Sequence, residues 1–229
     1  MKKFDTLLLP DNNEIDNNTA VTNGETDKYI EDTKLINFDL FTNSPQFIGF
    51  TDVEEQELIY KLASYGINFE GCKSIVDLGC GIGDFYHYIK SVHKYTGKYI
   101  GVDINTLTLQ VGNYKYSAEN IDFRNLNYYN DNFYNTISAE YVFCINNLTI
   151  PYGHHKGTDL EQLNDLIITA YNIATIGCVF TFYNDFELYE NYIQYNISDV
   201  IEVLNNNYIT KYAVDNTTDT LITKLIILK

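Results

Sequence analysis

Arginine is all but missing from this sequence. Arg124 is the only one, no lysine cluster replaces it, and the formal charge is −16 over 229 residues. A protein that grips nucleic acid neutralises phosphates with a basic patch, and nothing here supplies one, which argues against a nucleic-acid partner. The four cysteines, Cys72, Cys80, Cys144 and Cys178, form no CxxC pair. Neither a zinc site nor a disulfide framework is indicated, and no metal is expected; reduced thiols fit a cytoplasmic protein. Long apolar runs are also absent, since Leu7 to Leu9 is too short for a signal peptide and no stretch approaches membrane-spanning length. The chain reads as soluble, without a membrane partner. With no tryptophan, one methionine and 21 tyrosines, the composition matches an AT-rich genome, either a phage or a low-GC bacterium. In the phage case the compartment is the host cytoplasm.

The length suffices for one substantial core, and no internal repeat is visible. Charge is uneven along it. Residues 1–60 hold 13 carboxylates against four lysines, a net −9 of the total −16. Residues 1–34 therefore read as an acidic, Asn-rich leader, flexible or dependent on a partner, ahead of a folded domain over 35–229.

Within that domain the informative stretch is Ile75-Val76-Asp77-Leu78-Gly79-Cys80-Gly81-Ile82-Gly83-Asp84. Ile75 to Leu78 has the apolar character of a buried parallel strand, and Phe85, Tyr88, Ile89 and Val92 then recur at helical spacing. Three alternate glycines thus occupy a strand-to-helix turn, where positive φ and a missing Cβ let a ligand approach backbone amides. A dinucleotide fingerprint needs a third glycine at 84, where this chain has Asp84. Asp77, two residues before the first glycine, would repel a pyrophosphate but can hold an ammonium group. The turn suits a cationic nucleoside.

Asp77-Leu78-Gly79-Cys80-Gly81-Ile82-Gly83 resembles motif I, the GxGxG motif, of the class I S-adenosylmethionine (SAM)-dependent methyltransferases. Ile48-Gly49-Phe50 and Gln56, ahead of Gly71 to Phe85, further resemble the Gly-aromatic-helix segment of certain bacterial members, a likeness covering about residues 46–145. The resemblance implies a Rossmann-like α/β fold, a seven-stranded, mostly parallel sheet in the order 3-2-1-4-5-7-6 with helices on both faces, and SAM as cofactor. It implies Asp77 near the cofactor amine, Gly79, Cys80, Gly81 and Gly83 along its backbone, and Asp103 with Ile104 at the ribose and adenine. Asp103 closes a second strand, Tyr99 to Val102, and equally suits an N-cap for the following helix. Where the family commonly has an acid for the adenine amine, this chain has Asn127, with Asn125 as competitor and Tyr128 beside it.

The methyl-acceptor side is less defined. A fourth strand over Tyr134 to Ile145 contains Glu140, which the family pattern places beneath the methyl group, at the sheet's carboxyl edge; the other reading is a strand end already in water. His154 and His155, in the loop 146–157, are candidate bases or merely exposed polar residues. Phe47 and Phe50 suit a lid over the cofactor or ordinary core packing. Capping-box spacing at Thr51/Glu54 and Thr158/Glu161 starts two helices, the first with a stripe of Val53, Leu58, Ile59 and Leu62, the second with Leu160, Leu163, Ile167, Ala170 and Ala174. Cys178 to Phe182 reads as strand five, a short helix spans 199–204, and strands over 208–214 and 221–228 form a closing hairpin.

The expected activity is methyl transfer from SAM to a small-molecule or protein acceptor. No Asn-Pro-Pro-aromatic motif follows the fourth strand, and no Pro-Cys nucleophile is present. A catalytically inactive, methyltransferase-like binding or assembly module is the alternative.

Overall fold

The computed structural model describes residues 42–119, 121–127, 136–146, 158–183, 195–215 and 222–229, all within a unit spanning residues 38–229. The expected leader, 1–34, lies outside the described residues. A 3₁₀ turn, Pro45–Ile48, precedes α1 (Val53–Ser64), β1 (Ser74–Leu78), α2 (Asp84–His93), β2 (Lys98–Asp103), α3 (Thr106–Lys115) and β3 (Ile121–Asn125). There follow β4 (Ala139–Ile145), α4 (Asp159–Ile173), β5 (Ala174–Tyr183), α5 (Ile197–Asn206), β6 (Tyr212–Asp215) and β7 (Ile222–Leu228). The strands form one sheet in the order β3-β2-β1-β4-β5-β7-β6. Pairing is parallel from β3 through β5, and β7 runs antiparallel to both β5 and β6. This is the expected sheet.

Because strand side chains alternate, each central strand feeds two cores. Val76, Leu78, Val142, Cys144 and Phe180 pack with Leu163, Ile167 and Ala170 of α4 and with Leu204 of α5. On the other face, Ile75, Tyr99, Phe143 and Val179 meet Ile59 and Ala63 of α1 and Phe85 and Ile89 of α2. The Phe143 ring lies 4.8 Å from that of Phe85 and 6.1 Å from that of Phe69, centroid to centroid. Truncation of such a side chain to alanine removes about 3–5 kcal/mol.

Helix α1 corrects the expected register by one residue. Its N-cap is Asp52, whose side chain accepts from Glu55 N, while Thr51 N donates to Glu55 Oε2 at 2.6 Å. The buried residues are Gln56, Ile59, Tyr60, Leu62, Ala63 and Ser64, so Ile59 and Leu62 of the expected stripe face inward while Val53 and Leu58 face solvent. An apolar stripe read by residue type missed that a glutamine and a tyrosine point inward. Val92 and Leu160 are likewise exposed at the ends of their helices. The Thr158/Glu161 capping box forms as expected, but α4 stops at Ile173, and Ala174 opens a β5 longer than Cys178 to Phe182. Strand β4 begins at Ala139, five residues after the expected start. Among the described residues no helix is long and apolar enough to cross a membrane.

Strand order reverses at β1, which has β2 on one side and β4 on the other. In open α/β sheets the crevice beyond the carboxyl ends of strands at such a reversal is where ligands bind. Leu78 ends β1 there, and the glycine turn follows.

Candidate cofactor site

Each turn glycine adopts a left-handed backbone, with φ of 75° at Gly79, 54° at Gly81 and 87° at Gly83. At Gly83 a Cβ would also lie 2.7 Å from the Phe123 ring. Both conformation and space therefore demand glycine. The turn is held from within: Gly79 N and Cys80 N donate to Val102 O at 2.8 and 3.0 Å, and Gly81 N donates to Asp103 Oδ2 at 2.8 Å. Contrary to the expectation that these amides face a ligand, they lock the turn onto β2. A ligand is left with side chains and the space above the glycines.

The deepest of those side chains is Asp77, only 2 % exposed. Parallel register sets Asp77 opposite Gly101 and Ile75 opposite Tyr99, so Tyr99 and Asp77 share a face. Tyr99 OH donates to Asp77 Oδ2, whereas Asp77 Oδ1 is buried with no hydrogen-bond partner among the described residues. Burial pushes the Asp77 carboxyl up to about 7, the Tyr99 bond opposes this, and nearby Asp103 adds to it. A buried acceptor without a donor is costly, and a cationic donor removes that penalty. Asp77 opens on a cleft lined by Gly79, Cys80, Gly81, Tyr60, Phe85 and Ile145, with Ile48 and Phe50 from the segment before α1. Ile48 sits directly over Gly81, where a Cβ would meet its Cγ2 at 2.9 Å.

Asp103, at the end of β2, accepts from Gly81 N through Oδ2 and from Asn105 N through Oδ1, each at 2.8 Å. The Ile104 backbone also donates to this carboxylate, so three backbone donors hold it and one of its four lone-pair sites is left for a ligand hydroxyl. Burial raises the Asp103 carboxyl, and the backbone donors at Asn105 and Gly81 counter it. The N-cap of α3 is Asn105.

No known protein family's sequence profile matches the chain, and no curated protein matches it in sequence. Solved structures do match. An O-methyltransferase family protein from Burkholderia thailandensis superposes with a TM-score of 0.63 at 13% identity, over 90% of this chain and 62% of the other. A SAM-dependent methyltransferase from Clostridium acetobutylicum ATCC 824 gives a TM-score of 0.52 at 11% identity, over 90% and 98%. Human N-acetylserotonin methyltransferase in complex with SAM gives 0.56 at 12% identity, over 76% and 51%. The chain has the class I methyltransferase fold. It spans less than two thirds of the length of the Burkholderia and human proteins.

On this methyltransferase fold, the expected cofactor residues Asp77, Gly79, Cys80 and Gly81 line one cleft, and Gly83 closes the turn as N-cap of α2. Cys80 is buried, its thiol pushed well above the ordinary range by burial, and its Sγ lies 2.8 Å from where a Cβ on Gly101 would stand. Ile104, half-buried beside Asp103, has its carbonyl engaged by Asn125 Nδ2 at 2.8 Å; the same nitrogen reaches Asp103 O at 3.2 Å. Asn125 thus ties β3 to β2 through its amide nitrogen, and Asn127 is half-buried just beyond the strand.

Glu140 is a correction. It stands at the amino end of β4, where Oε2 accepts from Lys73 N at 2.7 Å and its own N–H bonds Ser74 Oγ at 3.1 Å. That is the edge of the sheet opposite the glycine turn, because β4 runs parallel to β1 and its carboxyl end is Ile145. Glu140 closes the start of β1 and is in neither the cofactor nor the catalytic set. His154, His155 and Tyr128 lie outside the described residues.

Tyr99 and Tyr60 stand beside Asp77 without a signal of their own in the sequence, and Gln56 lies behind Tyr60. Tyr99 was legible only as a strand residue, although the i, i+2 spacing to Gly101 puts it on the Asp77 face. Gln56 and Tyr60 required the packing of α1 on the sheet. Gln56 Nε2 reaches Asp84 Oδ2 at 3.3 Å and Tyr60 OH at 3.2 Å, and Asp84 Oδ1 accepts from Lys115 Nζ at 2.7 Å and Tyr116 OH at 2.5 Å. Asp84, at the position where a dinucleotide fold needs glycine, joins α1, α2 and α3.

Proposed function

We propose that the protein transfers a methyl group from SAM to a small-molecule or protein acceptor. The observation that carries this reading is the unpartnered Oδ1 of buried Asp77 at the base of the glycine-turn cleft, a place for an ammonium group. Asp103, with acceptor capacity left beside its backbone donors, suits a ribose hydroxyl, and Asn127 carries an amide carbonyl suited to the adenine amine. Gly79, Cys80, Gly81 and Gly83 shape the wall between them, with Ile104 and Tyr128 beside the base.

When bound, SAM supplies a methyl group on an electrophilic sulfonium. The chain's own contribution is placement: Asp77 and Asp103 fix the two ends of the cofactor, and Phe50, Phe85 and Ile145 exclude water from the space between them. Alignment of that kind accounts for much of the rate gain where the cofactor brings the reactive group. His154 and His155 remain the candidates for accepting a proton from the acceptor. The charge of −16 and the single arginine favour an acceptor that is not nucleic acid, and four buried free thiols suit the cytoplasm.

Titration calorimetry with SAM and with S-adenosylhomocysteine tests the reading. Micromolar binding of both is expected; absence of binding by either at millimolar concentration removes it and leaves the binding-module alternative.

A further inference from the structure

Helix α1 brings one more polar group to the cleft. The Tyr60 ring is 6 % exposed and is fixed by Phe50, Phe85 and Tyr88, with centroids 5.7, 5.4 and 5.7 Å away. Its oxygen accepts a hydrogen bond from Gln56 Nε2. The direction of that bond is set elsewhere: Nε2 also faces Asp84 Oδ2, and a carboxylate only accepts, so the amide nitrogen is the atom turned towards both. Tyr60 must therefore direct its own proton away from Gln56, and no acceptor for it exists among the described residues. Burial, with Asp84 and Asp77 nearby, holds the phenol well above its ordinary range. Tyr60 is a neutral donor.

Two residues that line the cleft thus carry unmet polar groups of opposite kind, the Asp77 Oδ1 acceptor and the Tyr60 O–H donor, and Tyr60 borders a second cavity with Gln56 and Asp84 as well. The cleft's other polar lining side chain is Cys80, a weak donor whose Sγ is already 3.6 Å from Gly81 O. An α-amino acid carries an ammonium and a carboxylate on one carbon. We infer that Tyr60 donates its hydroxyl proton to the carboxylate of the cofactor's amino-acid end while Asp77 takes the ammonium, with Gln56 as the residue that positions Tyr60. This rests on the SAM reading above and adds to it the group that distinguishes an amino acid from a simple amine.

The experiment measures binding of S-adenosylhomocysteine, its decarboxylated counterpart and 5′-methylthioadenosine to the full chain. Wild type is expected to prefer S-adenosylhomocysteine to the decarboxylated compound by about tenfold, the worth of one hydrogen bond to a charged group. Tyr60→Phe, which keeps the ring packing, abolishes that preference and leaves 5′-methylthioadenosine binding unchanged. Gln56→Met reduces the same ratio without altering 5′-methylthioadenosine binding, a selectivity readout that a purely structural role would not move. Retention of the wild-type ratio in Tyr60→Phe, or equal weakening of all three ligands, overturns the assignment while leaving the SAM reading intact. Failure of wild type to bind S-adenosylhomocysteine at all overturns the SAM reading and the assignment together.

Discussion

Tyr99 donates its phenolic hydrogen to Asp77 across the boundary between two parallel strands, and the other oxygen of Asp77 is left without a donor. Burial makes that carboxylate hard to ionise, so a cationic ligand beside it would favour its charged form. Around it stand Tyr60 on α1, Asp103 on β2, Cys80 in the turn and Cys144 on β4, each coupled to it through charge. None is a cation.

The folded-state titration of Asp77, raised to about 7, lies above the unfolded value of about 3.9. Between those limits the folded chain binds the extra proton, so its contribution to stability is full at low pH and is lost as pH rises towards neutrality. Asp77→Asn carries no such burden. Relative to wild type the ligand-free variant is expected to gain about 2–3 kcal/mol of stability from pH 5 to 8, most of it below pH 7, where the gain begins to level off. Chemical denaturation of both proteins across that range measures it; parallel curves would show that Asp77 is ionised throughout.

Ligand binding has the opposite sign. An ammonium on Asp77 requires the carboxylate, so affinity for S-adenosylhomocysteine is expected to rise about tenfold per unit as pH approaches 7 from below and to level off above it. In Tyr99→Phe the carboxylate loses the one bond that stabilises its charge, and the plateau moves to higher pH. Calorimetry in two buffers of different ionisation enthalpy would reveal the accompanying proton release.

Gly83 has a φ of 87° and faces the Phe123 ring at 2.7 Å from where a Cβ would stand. Gly83→Ala combines a left-handed alanine, about 1–2 kcal/mol, with a clash that displaces Phe123. A loss of about 2–4 kcal/mol in denaturant titration is expected.

Glu140→Gln tests the corrected placement at the far edge of the sheet. Affinity for S-adenosylhomocysteine should be unchanged, with a stability loss of at most about 1 kcal/mol from the weakened bond to Lys73 N. A tenfold fall in affinity without loss of stability would return Glu140 to the site.

Lys224 lies on β7 with 1 % exposure, its Nζ donating to the Tyr65 carbonyl at the end of α1, and burial holds its ammonium down to about 8. The unfolded lysine titrates near 10.4, so wild-type stability is handicapped below pH 8 and recovers as pH rises towards 10. Lys224→Met lacks that handicap. Its melting temperature relative to wild type is expected to fall between pH 8 and 10.

Sequence alone determined the frame of this protein. Ile75 to Asp84 states a strand, a left-handed glycine turn and the start of a helix in ten residues, because glycine spacing and apolar periodicity are local properties of the chain. The order of seven strands followed from resemblance, and the sheet has that order. Tertiary structure decided what local pattern does not encode. Packing of α1 on the sheet turned Gln56 and Tyr60 inward beside Ile59 and Leu62, because the tertiary fold decides which arc of a helix is buried and polar residues on that arc carry no apolar signal. A later start to β4 moved Glu140 to the opposite edge, because position along a strand decides which end of the sheet a side chain occupies. Only the parallel register of β1 and β2 brings Tyr99 to Asp77, two side chains 22 residues apart. Contacts between elements depend on register, and register is set when the faces pack.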